Sequence, residues 1–162
     1  MKTKTVVMSA LLSALVCVAT MVIRVPSPLG GYINLGDGIV LLCGWLLSPI
    51  YGFLAAGIGS GLADILSGYV AYAPATFVIK GCMALIAYGI AKGLRTRPLT
   101  GKLVGGVVAE LVMIGGYLAF ESFIYGFVPS LVNVPANAVQ GVAGLVVGLI
   151  LVRIFEKHNI FG

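Results

Sequence analysis

Long apolar runs, each closed by proline, glycine or a charged residue, make up most of this chain. Read with that punctuation, the hydropathy pattern predicts six transmembrane helices near 5–24, 34–48, 50–67, 74–93, 102–126 and 132–154. The first ends at Arg24, ahead of a loop carrying Pro26, Pro28, Gly30 and Gly31. The second stops at Ser48-Pro49, the third at Ser67-Gly68, and Pro74 stands where a helix start tolerates proline. A polar break from Leu94 to Gly101 separates the fourth and fifth spans. Since a span takes about 20 residues, six of them leave room for one transmembrane domain over 1–162 and for no soluble domain beside it. The first apolar run has the look of a secretion signal, with Cys17-x-Ala19 as a weak cleavage site. It continues to Ile23, however, which is long enough to span, so a retained first helix is expected.

Composition strengthens the membrane reading. Of 162 residues 60% are hydrophobic and 9% charged, against roughly 25% charged in a soluble domain. Twenty-three glycines without a collagen period suit closely packed membrane helices. A net charge of +5 would suggest nucleic acid if it were clustered, but its placement points elsewhere. Lys2 and Lys4, then Lys92, Arg95, Arg97 and Lys102, then Arg153 and Lys157 all fall on one side of an even number of spans. The other side shows only Arg24, so the charge is an orientation signal that puts both termini in the cytoplasm.

Several chemistries lack their residues. Cys17, Cys43 and Cys82 are widely spaced within apolar runs, and the one histidine, His158, lies in the polar tail, so neither a metal cluster nor a histidine-based triad is expected. No GxxxxGK[ST] loop occurs, so no cofactor is expected and any ATP would be used by partner subunits. The Gly57-Ile-Gly-Ser-Gly61 run lies within a span with no strand before it, which reads as small-residue helix packing.

Polar groups inside spans are costly and mark pathways or sites. Asn34, Asp37, Asp64, Thr76, Lys80, Glu121, Asn133, Asn137 and Gln140 all fall in the outer half by this topology, and Glu110 lies deeper. Asn133, Asn137 and Gln140 stand at i, i+4 and i+7, on one helical face, continued inward by Gly141, Gly144 and Gly148. Glu110, Met113, Tyr117 and Glu121 share a stripe; Thr76 pairs with Lys80 and Ser60 with Asp64 at i, i+4. Tyr32, Tyr69, Tyr72 and Tyr125 add phenols at the outer end. Amides, carboxylates, one ammonium and phenols suit a small flat heterocycle. Each member also has a plainer reading. Asn34 and Asp37 would cap the second helix as a capping box, Asp64 and Lys80 would form a structural ion pair, the amide stripe would join helices, and the tyrosines would anchor the interface.

The residues Tyr32-Ile-Asn-Leu-Gly-Asp37, Ala56-Gly-Ile-Gly-Ser-Gly-Leu-Ala-Asp64, Gly68-Tyr-Val-Ala-Tyr-Ala-Pro-Ala-Thr76 and Ile79-Lys-Gly81 resemble the membrane S-components of energy-coupling factor (ECF) transporters. The likeness covers nearly the whole chain and is strongest to a branch of hydroxymethylpyrimidine, pyridoxine-type and riboflavin carriers. It implies an all-α, six-helix membrane bundle in a prokaryotic plasma membrane that binds a vitamin or precursor at its outward end. It also implies partners: a transmembrane coupling subunit and two ABC ATPases. The AxxxA motif through which such proteins dock is matched by Ala10-Leu-Leu-Ser-Ala14. The substrate residues the likeness points to are Asn34, Asp37, Asp64, Tyr72, Thr76, Lys80, Tyr117, Glu121, Asn133, Asn137 and Gln140. The residues alone leave other readings open: a solitary proton-coupled carrier using Asp37, Asp64, Glu110 or Glu121, an intramembrane hydrolase with paired carboxylates, or a purely structural subunit. Four carboxylates against one ammonium favour a pyrimidine- or pyridine-like ligand with donors, and leave a flavin open.

Overall fold

The computed structural model describes residues 2–158, the side chain of Lys2 excepted; Met1 and residues 159–162 of the expected single domain lie outside the described part. Seven α-helices form one bundle: α1 (Lys2–Val22), α2 (Asp37–Leu46), α3 (Pro49–Leu66), α4 (Ala73–Gly93), α5 (Pro98–Tyr125), the short α6 (Phe127–Ser130) and α7 (Val134–Lys157). A 3₁₀ turn over Leu131–Asn133 joins the last two, so the expected sixth helix at 132–154 is one broken helical run from 127 to 157. The predicted start of the fifth helix at 102 moves back to Pro98, whose missing N–H suits the first helical position.

The first loop departs most from expectation. The first helix ends at Val22 and not at residue 24, and the second begins at Asp37 and not at residue 34. Between them β1 (Arg24–Pro26) and β2 (Tyr32–Asn34) pair antiparallel, with Val25 opposite Ile33. Gly31 turns this hairpin with φ at +71°, a left-handed conformation that glycine adopts without steric cost. Gly30 is held for a second reason. A Cβ there would stand 3.0 Å from the Tyr125 hydroxyl and 3.1 Å from that of Tyr72.

Among the described residues five runs are long and apolar enough to cross a membrane: Thr3–Val22, Pro49–Leu66, Ala73–Gly93, Pro98–Tyr125 and Phe127–Lys157. The sixth expected span, α2, has only ten residues and is shorter than a bilayer core requires. It survives because it does not face lipid. Every residue from Asp37 to Gly44 is buried, and glycines let its neighbours approach. Gly38 lies against Val147 and Gly148 of α7, and Gly44 against the Ala84 carbonyl of α4. Around it, the long helices turn large apolar side chains outward, among them Val18, Leu62, Leu111 and Val142.

The last turn of α2 marks one end of the bundle. There Leu46 shares a cleft with Lys4 and Thr5 of α1 and Tyr51 of α3, while Trp45 shares another with Lys92, Arg95, Lys102 and Glu156. The start of α1, the α4–α5 turn and the end of α7 therefore gather at one end, and the β-hairpin lies at the other. The expected glycine packing is also present. Gly57 sits against the Phe77 carbonyl and Gly61 against that of Ala73, both across the α3–α4 contact.

Candidate functional site

At the hairpin end, a polar pocket opens between α1, α3, α4, α5 and α7. Thr20, Ser27, Gly30, Gly31, Tyr32, Asn34, Ser60, Asp64, Tyr72, Thr76, Lys80, Tyr117, Glu121 and Asn137 line it. Eight of the eleven expected substrate residues are in that wall. Asp37, Asn133 and Gln140 stand behind it and hold it in shape.

The floor is a buried ion pair. Lys80, at the middle of α4, meets Asp37 at the first turn of α2, and the two side chains are 3% and 0% exposed. Gln140 of α7 donates from Nε2 to the second Asp37 oxygen at 2.8 Å, and its own Oε1 accepts from the Asn34 backbone N–H at 2.9 Å. The Lys80 ammonium also lies 5.5 Å from the Tyr117 ring centre. The expected Asp64–Lys80 pair is thus not the one formed; α2, packed against α7 and α4, brings the nearer carboxylate. Nor does the capping box form. Asp37 turns inward to Lys80, the N-cap is Gly36 without a side-chain hydrogen bond, and Asn34 Oδ1 accepts from the Gly36 N–H at 2.9 Å within the strand-to-helix turn.

The upper wall is tied to the loop. Tyr32 donates from its hydroxyl to Asp64 Oδ1 at 2.7 Å. Burial, and then the adjoining Asp64 carboxylate, raise the Tyr32 phenol above its ordinary pKa, so it remains a donor. Asn133 bridges three points: its Nδ2 donates to Glu121 Oε1 at 2.9 Å and to the Gly30 carbonyl at 3.3 Å, and its Oδ1 accepts from the Leu29 N–H at 3.4 Å. Thr76 Oγ1 and the Tyr117 hydroxyl lie 3.1 Å apart. Aromatic rings continue the rim, with Tyr32 and Tyr69 centred 4.8 Å apart and Tyr72 edge-on to Phe120 at 5.2 Å. These tyrosines pack as a cluster, which their sequence positions alone did not show.

Three buried polar atoms on pocket residues have no hydrogen-bond partner among the described residues: Ser60 Oγ, Asp64 Oδ2 and Glu121 Oε2. Buried polar groups are normally satisfied, so these atoms are open hydrogen-bonding positions, two on α3 and one on α5. The free interior is about 30 Å³, on the order of one water's share of the liquid.

Sequence reasoning passed over Thr20, Ser27, Gly30 and Gly31. Thr20 had a signal, being a buried hydroxyl one turn from the end of an apolar helix. The three loop residues had none apart from their turn-forming type. Below the pocket, Glu110 has both carboxyl oxygens buried without a donor, and it borders Gly141 and Gly144 beside Asp37. Ala10 and Ala14 lie exposed on α1, on the side opposite the buried Leu12 and Val16.

Comparison with known proteins agrees with this architecture. A protein of Pyrococcus woesei, described as an uncharacterized protein in the gap 3′ region, is 37% identical over 146 residues, covering 88% of this chain and 95% of its own. The S component of a bacterial ECF transporter superposes with a TM-score of 0.79 at 23% identity, over 98% of both chains. The S component for biotin from an ECF-type ABC transporter gives 0.69 at 21% identity, over 96% of this chain and 92% of that one. At those identities the two structures establish the fold. The sequence itself matches, over residues 1–157, the family described as ECF-type riboflavin transporter, S component. The chain belongs to that family, and is a substrate-binding S component of an ECF-type transporter.

Proposed function

We propose that this protein captures a small nitrogen heterocycle, a vitamin or vitamin precursor of pyrimidine or pyridine type, at its outward end for import. The observation that carries the reading is the set of unpartnered atoms on Ser60, Asp64 and Glu121, which face a ligand with hydrogen-bond donors on opposite edges. Lys80, already matched to Asp37, adds its hydrogens to a ring nitrogen or carbonyl, and Tyr32, Tyr72 and Tyr117 offer faces to a flat ring. Entry breaks the Tyr32–Asp64 and Asn133–loop bonds; ligand donors then take their place at the carboxylates. The bonds broken on entry are so offset by bonds to the ligand, which keeps capture reversible.

In this reading both termini are cytoplasmic, in keeping with the basic residues gathered at that end of the bundle, and the membrane is a prokaryotic plasma membrane. A coupling subunit docks on the exposed Ala10–Ala14 strip of α1, where two small residues one turn apart allow close helix contact. Two ABC ATPases supply the energy, and this chain itself carries no catalytic role. The substrate-binding set is Asn34, Asp64, Tyr72, Thr76, Lys80, Tyr117, Glu121 and Asn137, positioned by Asp37, Asn133 and Gln140.

The test is thermal stabilisation of the detergent-purified protein by hydroxymethylpyrimidine, pyridoxine, pyridoxamine and riboflavin. One pyrimidine or pyridine hit, lost in Asn137→Ala, supports the reading. A response to riboflavin alone replaces the substrate class, and no response from a folded sample rejects it. Glu110 favours a second reading, a solitary proton-coupled carrier, because a buried carboxyl without a donor is a place to hold a proton. Uptake that persists without any ECF subunit and collapses with the proton gradient would select that alternative.

A further inference from the structure

At the end of the bundle opposite the pocket, a second cleft lies between the last turn of α2, the end of α4, the start of α5 and the end of α7. Lys92, Arg95 and Lys102 line it against a single carboxylate, Glu156, with the rings of Trp45 and Tyr88 forming its walls. Its volume is about 400 Å³, so unlike the upper pocket it accepts a group without rearrangement. Two of the cations are held in place. Lys102 pairs with Glu156, and Lys92 donates to the Tyr88 hydroxyl at 3.0 Å. Arg95 has no ion pair or hydrogen bond among the described residues. The buried indole N–H of Trp45 has no acceptor either. Pro98, also in the wall, begins the 28-residue α5, whose N-terminal end adds positive potential. Beside the cleft Leu94, Leu99 and Leu103 are exposed, which places apolar surface for acyl chains next to a positive, donor-rich hollow.

We propose that this cleft binds the phosphate headgroup of an anionic phospholipid. The chemistry required is that of a phosphate: several acceptor oxygens and negative charge, met by a guanidinium and two ammonium groups. The position at a membrane end, with leucines alongside, selects a lipid over a free anion. Such a lipid would bridge α2, α4, α5 and α7 at the end where the apolar helices meet the aqueous phase.

Trp45 is the chain's single tryptophan, so its fluorescence reports on this cleft directly. Protein in neutral detergent is titrated with phosphatidylglycerol carrying brominated acyl chains, with phosphatidylcholine carrying the same chains, and with sodium phosphate. Saturable quenching by phosphatidylglycerol at far lower mole fraction than phosphatidylcholine is expected. The Lys92→Ala/Arg95→Ala variant should shift half-saturation by about 10- to 30-fold, whereas Arg153→Ala, a cation outside the cleft, should leave it unchanged. Equal quenching by the two lipids in the unaltered protein would overturn the proposal without recourse to any variant. So would a half-saturation indifferent to the double substitution, or abolition of the phosphatidylglycerol response by millimolar phosphate.

Discussion

Replacing Lys80 by methionine keeps the length of the side chain and removes the one buried cation among the described residues. Asp37 then keeps the hydrogen bond from Gln140 Nε2 but has no cation beside it among the described residues, at zero exposure in the middle of the bundle. Breaking a buried pair from one side costs about 3–5 kcal/mol, because the surviving charge stays desolvated. For a chain of this size about 1 kcal/mol corresponds to roughly 2–4 °C, so Lys80→Met should lower the melting temperature by about 6–20 °C. Restoring neutrality reverses most of this. In Lys80→Met/Asp37→Asn the new amide still offers an oxygen to Gln140, and stability should return to within about 1–2 kcal/mol of the parent, on the scale of a single hydrogen bond.

The assay is a double-substitution cycle by thermal unfolding in one detergent at neutral pH, with circular dichroism confirming helix content. Strong coupling between the two sites is the required result. If the double variant loses the sum of the two single losses, the pair is not the organising contact of the pocket floor, and the account of α2 as a buried helix anchored through Asp37 fails. The same variants separate stability from capture. The double variant should fold and still bind poorly, because the ammonium that lines the pocket is gone.

Asn137 lines the pocket, and Asn133 ties Glu121 to the loop; Asn137→Ala should therefore weaken ligand binding with little change in melting temperature. Asn133→Ala should lower stability by about 1–3 kcal/mol and speed ligand release, and equal effects of the two in stopped-flow binding would contradict that division. A methyl at Gly144 would come within 2.5 Å of Asp37 Cβ and 3.0 Å of Glu110 Oε1, so Gly144→Ala should cost about 1–3 kcal/mol through overpacking, and an unchanged melting temperature would show α7 free to move away. Glu110→Gln should preserve both folding and binding, since a carboxyl buried without donors gains little from charge. Loss of vitamin uptake in that variant, with binding intact, would instead assign the residue to proton coupling.

Spans facing lipid were legible because hydropathy measures contact with lipid. α1, α3, α4, α5 and α7 all turn large apolar side chains outward, and each was predicted within a few residues at most of its ends. α2 was predicted too long for the same reason turned around. Apolar residues buried by protein look like apolar residues buried by lipid, and Leu47 extends the run by packing, without being helical. The hairpin was hidden because its strands have three residues each, too few for an alternation to register, and one of them contains Pro26.

The site divides along a similar line. Eight of the eleven residues expected at the substrate line one pocket, among them Asn34, Asp64, Lys80, Glu121 and Asn137, whose polar groups in apolar runs need a reason to be there. Pairing was not readable. Lys80 sits on α4 with candidate carboxylates on α2, α3 and α5, and spacing along single helices says nothing about which of them the bundle brings nearest. That choice is made by α2, whose glycines at 38 and 44 let it sink between α7 and α4 until Asp37 reaches the ammonium. Asp64 is thereby released from Lys80, and one of its oxygens goes to Tyr32 while the other is left bare. The short, glycine-flanked helix that hydropathy describes least well is therefore what leaves an acceptor free for cargo.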